Sequence, residues 1–109
     1  MKRGDIVIVS VQGDYGKPRP AVIIQSDLFN DTHSSILVCL VTSDLQDAPL
    51  FRLTIDANTE NGLTKTSQIM ADKIVALRRN RIVQHIGRIS EEMLIKLNRS
   101  LALFLGIAQ

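Results

Sequence analysis

The chain has 109 residues, of which 45% are hydrophobic and 22% are charged, with one cysteine and no tryptophan. This composition excludes a disordered chain, and the length fits a single compact domain over residues 1–109. The thirteen basic and eleven acidic side chains leave a net charge of +2, so the protein is mildly basic rather than polycationic. It has no apolar run of the roughly 18–20 residues that a membrane span needs and no signal-peptide segment, so we expect a cytoplasmic protein.

Apolar and β-branched residues dominate the first two thirds of the chain and predict a mostly antiparallel β body. The expected strands cover residues 5–11, 21–25, 35–42, 52–56 and 66–78. Glycines, prolines and polar residues predict an exposed loop over 12–20, a connection over 30–33 and a turn over 58–62. The lone Cys39 lies inside the third strand, which excludes an intramolecular disulfide and a cysteine metal site and predicts an inert core thiol.

The C-terminal segment has the pattern of an amphipathic helix. Ser90 is followed by two glutamates, as expected for a helix N-cap and an acidic first turn. Apolar residues then recur at helical spacing, and Gly106 is placed to end the helix. Phe104 lies on the apolar face, where we expect it in the core. A small barrel with one helix has little core area, so dimerisation would add burial.

Four arginines, Arg78, Arg79, Arg81 and Arg88, lie within one short segment. Such a segment suits the phosphate backbone of a nucleic acid, but it also fits a solvated arginine-rich turn, and the sequence leaves both readings open. The two histidines of the chain, at positions 33 and 85, are expected at the surface, with His85 also a candidate nucleic-acid contact.

The most constrained backbone lies around Pro18-Arg19-Pro20. Proline fixes φ and also restricts the residue before it, so we expect an extended Arg19 whose guanidinium points in a reproducible direction. The planar guanidinium suits phosphate binding. The alternative is a surface arginine paired with Asp14 or Asp72.

Three motifs in order, Gly4-Asp5-Ile6, Pro18-Arg19-Pro20 and Val41-Thr42-Ser43, resemble the MazF/PemK family of ribonuclease toxins. Gln68-Ile69-Met70-Ala71-Asp72 and the closing helix lie where that family has its fifth strand and terminal helix. The resemblance therefore spans nearly the whole chain. It implies a mainly β fold, an SH3-like barrel with a C-terminal helix, that forms a homodimer. It also implies metal-independent cleavage of single-stranded RNA without a cofactor, in which a ribose 2′-hydroxyl attacks the adjacent phosphate and leaves 2′,3′-cyclic phosphate and 5′-hydroxyl ends.

The resemblance also assigns site residues. Arg19 matches the catalytic arginine, Thr42 matches the threonine that holds the scissile phosphate, and Asp72 matches an acidic residue with a proton-transfer or base-recognition role. Thr42 could instead cap the following turn, and Asp72 could be a solvated strand residue. The further RNA contacts that we expect are Tyr15, Lys17, Ser43, Ser67, Gln68 and Arg79.

The chain departs from the family pattern at two places. Many members have a glutamate before the catalytic arginine, where this chain offers only Asp14, and some have an arginine where this chain has Met70. A binding module that kept the barrel and lost the chemistry is therefore one alternative. Another is a gyrase poison of the CcdB type, to which Leu105-Gly106-Ile107 is faintly similar, although that terminal motif needs a tryptophan. For a ribonuclease toxin, which is the leading hypothesis, the resemblance implies a cognate antitoxin whose largely disordered tail covers the RNA groove.

Overall fold

The computed structural model describes residues 1–11 and 17–108. Its elements, in chain order, are β1 (Asp5–Ser10), β2 (Pro18–Ile23), α1 (Asp27–Asn30), β3 (Ser35–Thr42), β4 (Arg52–Ile55), β5 (Ser67–Arg78), a 3-10 turn (Arg79–Arg81), β6 (Ile82–Arg88) and α2 (Glu91–Phe104). The six strands form one sheet in the order β4-β5-β3-β2-β1-β6, and neighbouring strands are antiparallel. None of the described helices is long and apolar enough to cross a bilayer.

Most predicted strands are confirmed, with small shifts at their ends. β3 begins at Ser35 and ends at Thr42, as predicted. β2 begins at Pro18, so the predicted loop over residues 12–20 is wrong for its last three residues, while residues 12–16 lie outside the described part of the chain. The strand extends because Arg19 pairs with Val9 of β1.

β6 and the short helix α1 were not predicted from the sequence. Residues 82–88, which were read as part of an arginine-rich segment, form β6 and pair with β1. This strand lies at the edge of the sheet and its residues 83–85 are all exposed, so its sequence lacks a clear apolar pattern. The polar connection near residue 30 begins with the short helix α1, where the Ser26 hydroxyl accepts a hydrogen bond from the backbone N–H of Leu28.

The C-terminal helix follows the prediction at both ends. The Ser90 hydroxyl accepts a hydrogen bond of 3.1 Å from the N–H of Met93, and Gly106 has a φ of +76° just beyond the last turn. Leu97 and Leu101 pack into the core. The prediction for Phe104 was wrong, because its side chain is 51% exposed. Its ring lies 6.1 Å from that of Phe51, at the rim of the core.

The buried side chains form two apolar clusters, and successive residues of β1 alternate between them. Ile6 belongs to the cluster that α2 covers, whereas Val7 and Val9 belong to the other. Cys39 is fully buried in the first cluster, and burial raises the pKa of its thiol to about 12, as expected for an inert core residue.

The sheet is strongly coiled but its edge strands do not pair with each other. Val11, beyond the end of β1, and Leu77 of β5 line one cavity although two strands lie between β1 and β5 in the sheet. The segment after β4 reaches the opposite edge, where the carbonyl of Glu60 accepts a hydrogen bond of 2.9 Å from the N–H of Arg88. The prediction of a mainly β fold with a C-terminal helix is thus confirmed. The sheet is coiled, and a loop bridges the gap between its two edge strands.

Candidate active site

Three strand ends meet at one edge of the sheet. β2 begins at Pro18, β3 ends at Thr42 and β5 begins at Ser67. Because β3 lies between the other two strands and runs antiparallel to both, these ends are neighbours. A cavity of about 570 Å³ opens at this edge and is also bordered by β1 and β6.

The cavity carries positive charge. Lys17, Arg19 and Lys65 line it, and none of its lining residues within the described ranges is acidic. Its walls also carry hydroxyl or amide groups of Thr42, Ser43, Thr64, Ser67 and Gln84. Cationic groups combined with neutral hydrogen-bond donors are the chemistry that binds a phosphate group.

Among the described residues, the hydroxyl of Thr42 makes one hydrogen bond. Its Oγ1 accepts a bond of 3.1 Å from the backbone N–H of Asp44, so the turn-capping contact considered from the sequence is present. A hydroxyl group also has a proton to donate. No residue in the described ranges accepts it, so the Thr42 hydroxyl can donate to a ligand in the cavity.

Ser67 and Gln68 shape the backbone at the start of β5. The buried Ser67 hydroxyl donates a hydrogen bond of 2.9 Å to the carbonyl of Lys65, which holds the segment beside the cavity. Gln68 is also buried, and its amide is bonded to both backbone groups of Gln46, at 3.0 Å and 2.9 Å. It therefore fixes the segment that follows Thr42 and Ser43 and does not itself line the cavity.

The wall formed by residues 62–65 is held in place by Asn61. The Asn61 side chain is buried, accepts hydrogen bonds from the N–H groups of Asn58 and Leu63, and donates one to the carbonyl of Asp56. Gly62 follows with a φ of +71° and packs against the Ile86 backbone, leaving no room for a side chain. This packing sets the loop wall of the cavity against β6.

Comparison with known proteins identifies the family of this chain. Residues 2–105 match the family of PemK-like, MazF-like toxins of type II toxin-antitoxin systems. The chain belongs to this toxin family. A relative from Mycolicibacterium smegmatis, named probable endoribonuclease MazF, is 42% identical over 109 residues, which cover 99% of each chain. The resemblance inferred from the sequence motifs is therefore confirmed.

Solved structures confirm the MazF/PemK fold. A structure of an endoribonuclease in complex with its cognate antitoxin from a mycobacterial species has a TM-score of 0.83 at 19% identity, covering 100% of this chain and 98% of that one. A MazE-MazF structure from Deinococcus radiodurans has a TM-score of 0.81 at 23% identity, covering 99% and 97% of the two chains. At these identities the likeness concerns the fold alone.

The structure separates Asp72 from the residues that the MazF/PemK resemblance groups with it. Asp72 does not line the cavity and instead faces Arg52 of β4, with 3.2 Å between Oδ1 and Nε. The two side chains are only 16% and 9% exposed, and they form an ion pair without the alignment of a hydrogen bond. Asp72 thus has a structural partner outside the site.

Arg79 is also placed elsewhere. Its guanidinium donates hydrogen bonds to the carbonyls of Asn30 and His33, which holds the segment after α1. Tyr15, the expected stacking residue, lies outside the described residues. Of the assigned site residues, the cavity brings together Lys17, Arg19, Thr42, Ser43 and Ser67.

Three further polar residues that line the cavity, Lys65, Thr64 and Gln84, were not predicted from the sequence. Lys65 stands just before β5 as Lys17 stands just before β2. A search for basic residues at strand starts could have found it. Gln84 had no such signal, because the strand that carries it was not predicted.

Proposed function

We propose that this chain is an endoribonuclease toxin that cleaves single-stranded RNA at the cavity lined by Arg19 and Thr42. The observation that carries the proposal is the convergence of Lys17, Arg19 and Lys65 on one cavity whose described lining includes no acidic residue. Membership in the MazF/PemK family and the name of the relative from Mycolicibacterium smegmatis support the same activity. They do not favour the gyrase-poison alternative.

The proposed reaction is an internal transfer at one phosphate. The ribose 2′ oxygen loses its proton and forms a bond to phosphorus, the bond from phosphorus to the 5′ oxygen breaks, and that oxygen takes up a proton. The products are a 2′,3′-cyclic phosphate and a 5′-hydroxyl, with no redox change. Negative charge on the nonbridging oxygens increases in the phosphorane-like transition state, so donors aimed at these oxygens accelerate the step.

Each cavity group has a proposed task. The Arg19 guanidinium pairs with the nonbridging oxygens, since its planar fork matches two oxygens of one phosphate. The Thr42 hydroxyl donates to the same phosphate. Lys17, Ser43 and Lys65 contact the neighbouring RNA backbone. Metal ions and cofactors have no task in this scheme.

Regulation and assembly follow the family. The solved structure of a mycobacterial endoribonuclease in complex with its cognate antitoxin supports a cognate antitoxin as the inhibitory partner of this chain. We also propose a homodimer, which is supported by exposed apolar side chains at the end of α2 and beyond it, such as Leu103, Leu105 and Ile107. Action on cellular RNA assigns the toxin to the cytoplasm.

The experiment uses antitoxin-free protein, end-labelled single-stranded RNA of varied sequence and EDTA. We compare Arg19→Gln with Arg99→Gln, which removes the same charge from an exposed position on α2. Wild type and Arg99→Gln should leave cyclic-phosphate ends, whereas Arg19→Gln should be slower by roughly 10²-fold or more. A 2′-deoxy nucleotide at the mapped cut position should prevent cleavage there. Absence of cleavage by folded wild-type protein would overturn the proposal.

A further inference from the structure

The structure divides the four clustered arginines into two pairs. Arg79 is bonded to the carbonyls of Asn30 and His33. Arg88 is bonded to Asp5 at 3.0 Å and lies 3.6 Å from Glu91. These two guanidinium groups therefore hold the fold together and are already occupied.

Arg78 and Arg81 differ from them. Within residues 1–11 and 17–108, neither side chain makes a hydrogen bond or an ion pair. Both line a second cavity, of about 690 Å³, together with Asn80 and Val11. As far as the chain is described, this lining also includes no acidic residue. Two guanidinium groups and an amide around one opening match the oxygens of a phosphate group.

The second cavity lies close to the first in the chain. Ile8 of β1 lines the first cavity, and Val11, just beyond the end of β1, lines the second. Gln84 of β6 lines the first cavity, and Arg81, the last residue of the 3-10 turn before β6, lines the second. Residues three apart in an extended chain are separated by about 10 Å and face opposite sides of the sheet. Because β6 is an edge strand, one RNA strand that passes around this edge can contact both cavities.

We infer that Arg78 and Arg81 form a second phosphate-binding subsite, which holds the RNA backbone beside the cleavage position. The inference rests on the proposed ribonuclease function and extends it to a longer stretch of substrate. Arg79, between the two, anchors the turn that presents them. Because phosphate contacts carry no direct sequence information, the subsite adds affinity for RNA without selecting its bases.

The test measures RNA binding as a function of salt. The probe is an RNA with a mapped cut site that a 2′-deoxy nucleotide makes uncleavable. The double variant Arg78→Gln/Arg81→Gln is compared with Arg99→Gln and wild type, after thermal unfolding has shown that all three are folded. Each lost phosphate contact lowers the salt slope of single-strand binding by about 0.7, so the double variant should lose about 1.4 while Arg99→Gln keeps the wild-type slope. A trinucleotide centred on the cut phosphate should bind all three proteins equally.

The outcomes separate this inference from the proposed function. If wild type cleaves RNA and the double variant binds the long RNA like Arg99→Gln, the subsite is refuted and the ribonuclease function stands. If wild type binds unmodified RNA without cleaving it, the ribonuclease function is refuted, and the subsite stands if the double variant loses the expected slope on that unmodified RNA. Wild-type protein that neither binds nor cleaves RNA refutes both.

Discussion

Gly62 lies against the backbone carbonyl of Ile86 so closely that a Cβ atom on residue 62 would overlap the carbonyl oxygen. The contact joins the loop that carries Lys65 to the strand that carries Gln84, and both residues line the candidate active site. At the same place, the loop that follows β4 bridges the gap between the two edge strands, β4 and β6. The packing of a single glycine thus connects the stability of the coiled sheet with the shape of the cavity.

Gly62→Ala should therefore destabilise the protein and reduce its cleavage activity. The matched control is Gly106→Ala, because Gly106 has a similar φ of +76° but open space around its Cα. Urea unfolding should show a free energy of unfolding lower by about 1–3 kcal/mol in Gly62→Ala than in Gly106→Ala, the usual cost of overpacking. Equal losses in the two variants would mean that only the backbone angle matters and that the contact with Ile86 does not.

Thr42→Val should remove transition-state stabilisation while keeping the shape of the side chain. We expect kcat for RNA cleavage to fall by roughly 10²-fold, because one hydrogen-bond donor to the phosphate is lost. Thr42→Ser should restore most of the rate, since it keeps the hydroxyl. Thr32→Val, at an exposed position, is the control for a threonine change elsewhere. A Thr42→Val variant with wild-type kcat would show that the Thr42 hydroxyl only caps the turn at Asp44 and does not take part in catalysis.

Asp72→Asn should affect stability rather than catalysis. It leaves the nearly buried Arg52 without its charged partner, so the free energy of unfolding should fall by about 1–3 kcal/mol. Asp47→Asn, which changes an exposed carboxylate, should have no such effect. Under conditions where both variants are folded, their cleavage rates should equal that of wild type. A loss of roughly 10²-fold in Asp72→Asn alone would instead support the catalytic role implied by the family resemblance.

Cys39 should make the stability depend on alkaline pH. Burial raises the pKa of its thiol from 9.0 to about 12, so between these values the unfolded chain loses a proton that the folded chain keeps. The stabilisation is complete below pH 9.0 and is lost as the pH rises towards 12, at about 1.4 kcal/mol per pH unit.

The comparison is with Cys39→Ala, which lacks the thiol and keeps every other titratable group. Urea unfolding from pH 8 to 10.5 should show a steeper decline in wild type than in the variant. Parallel curves for the two proteins would show that the thiol ionises equally well in the folded and unfolded chains.

The sequence by itself determined the elements that depend on local chemistry. The continuous apolar run of β3, the Ser90 cap and the terminal Gly106 each act within a few residues, so their structures followed from their neighbours. The ordered motifs also indicated the MazF/PemK family, and that resemblance assigned five residues that line the candidate site, Lys17, Arg19, Thr42, Ser43 and Ser67.

Tertiary structure alone decided which residues share a cavity and which arginine side chains are bonded to other residues of the fold. Antiparallel pairing brings the end of β3 next to the start of β5, which places Thr42 near Lys65 across more than twenty residues of sequence. Arg79 and Arg88 are bonded to other described residues, whereas Arg78 and Arg81 have no such bond in the described part of the chain, although all four belong to one basic segment. Sequence patterns report periodicity and local bonding, whereas these distinctions depend on contacts that exist only after the sheet has coiled.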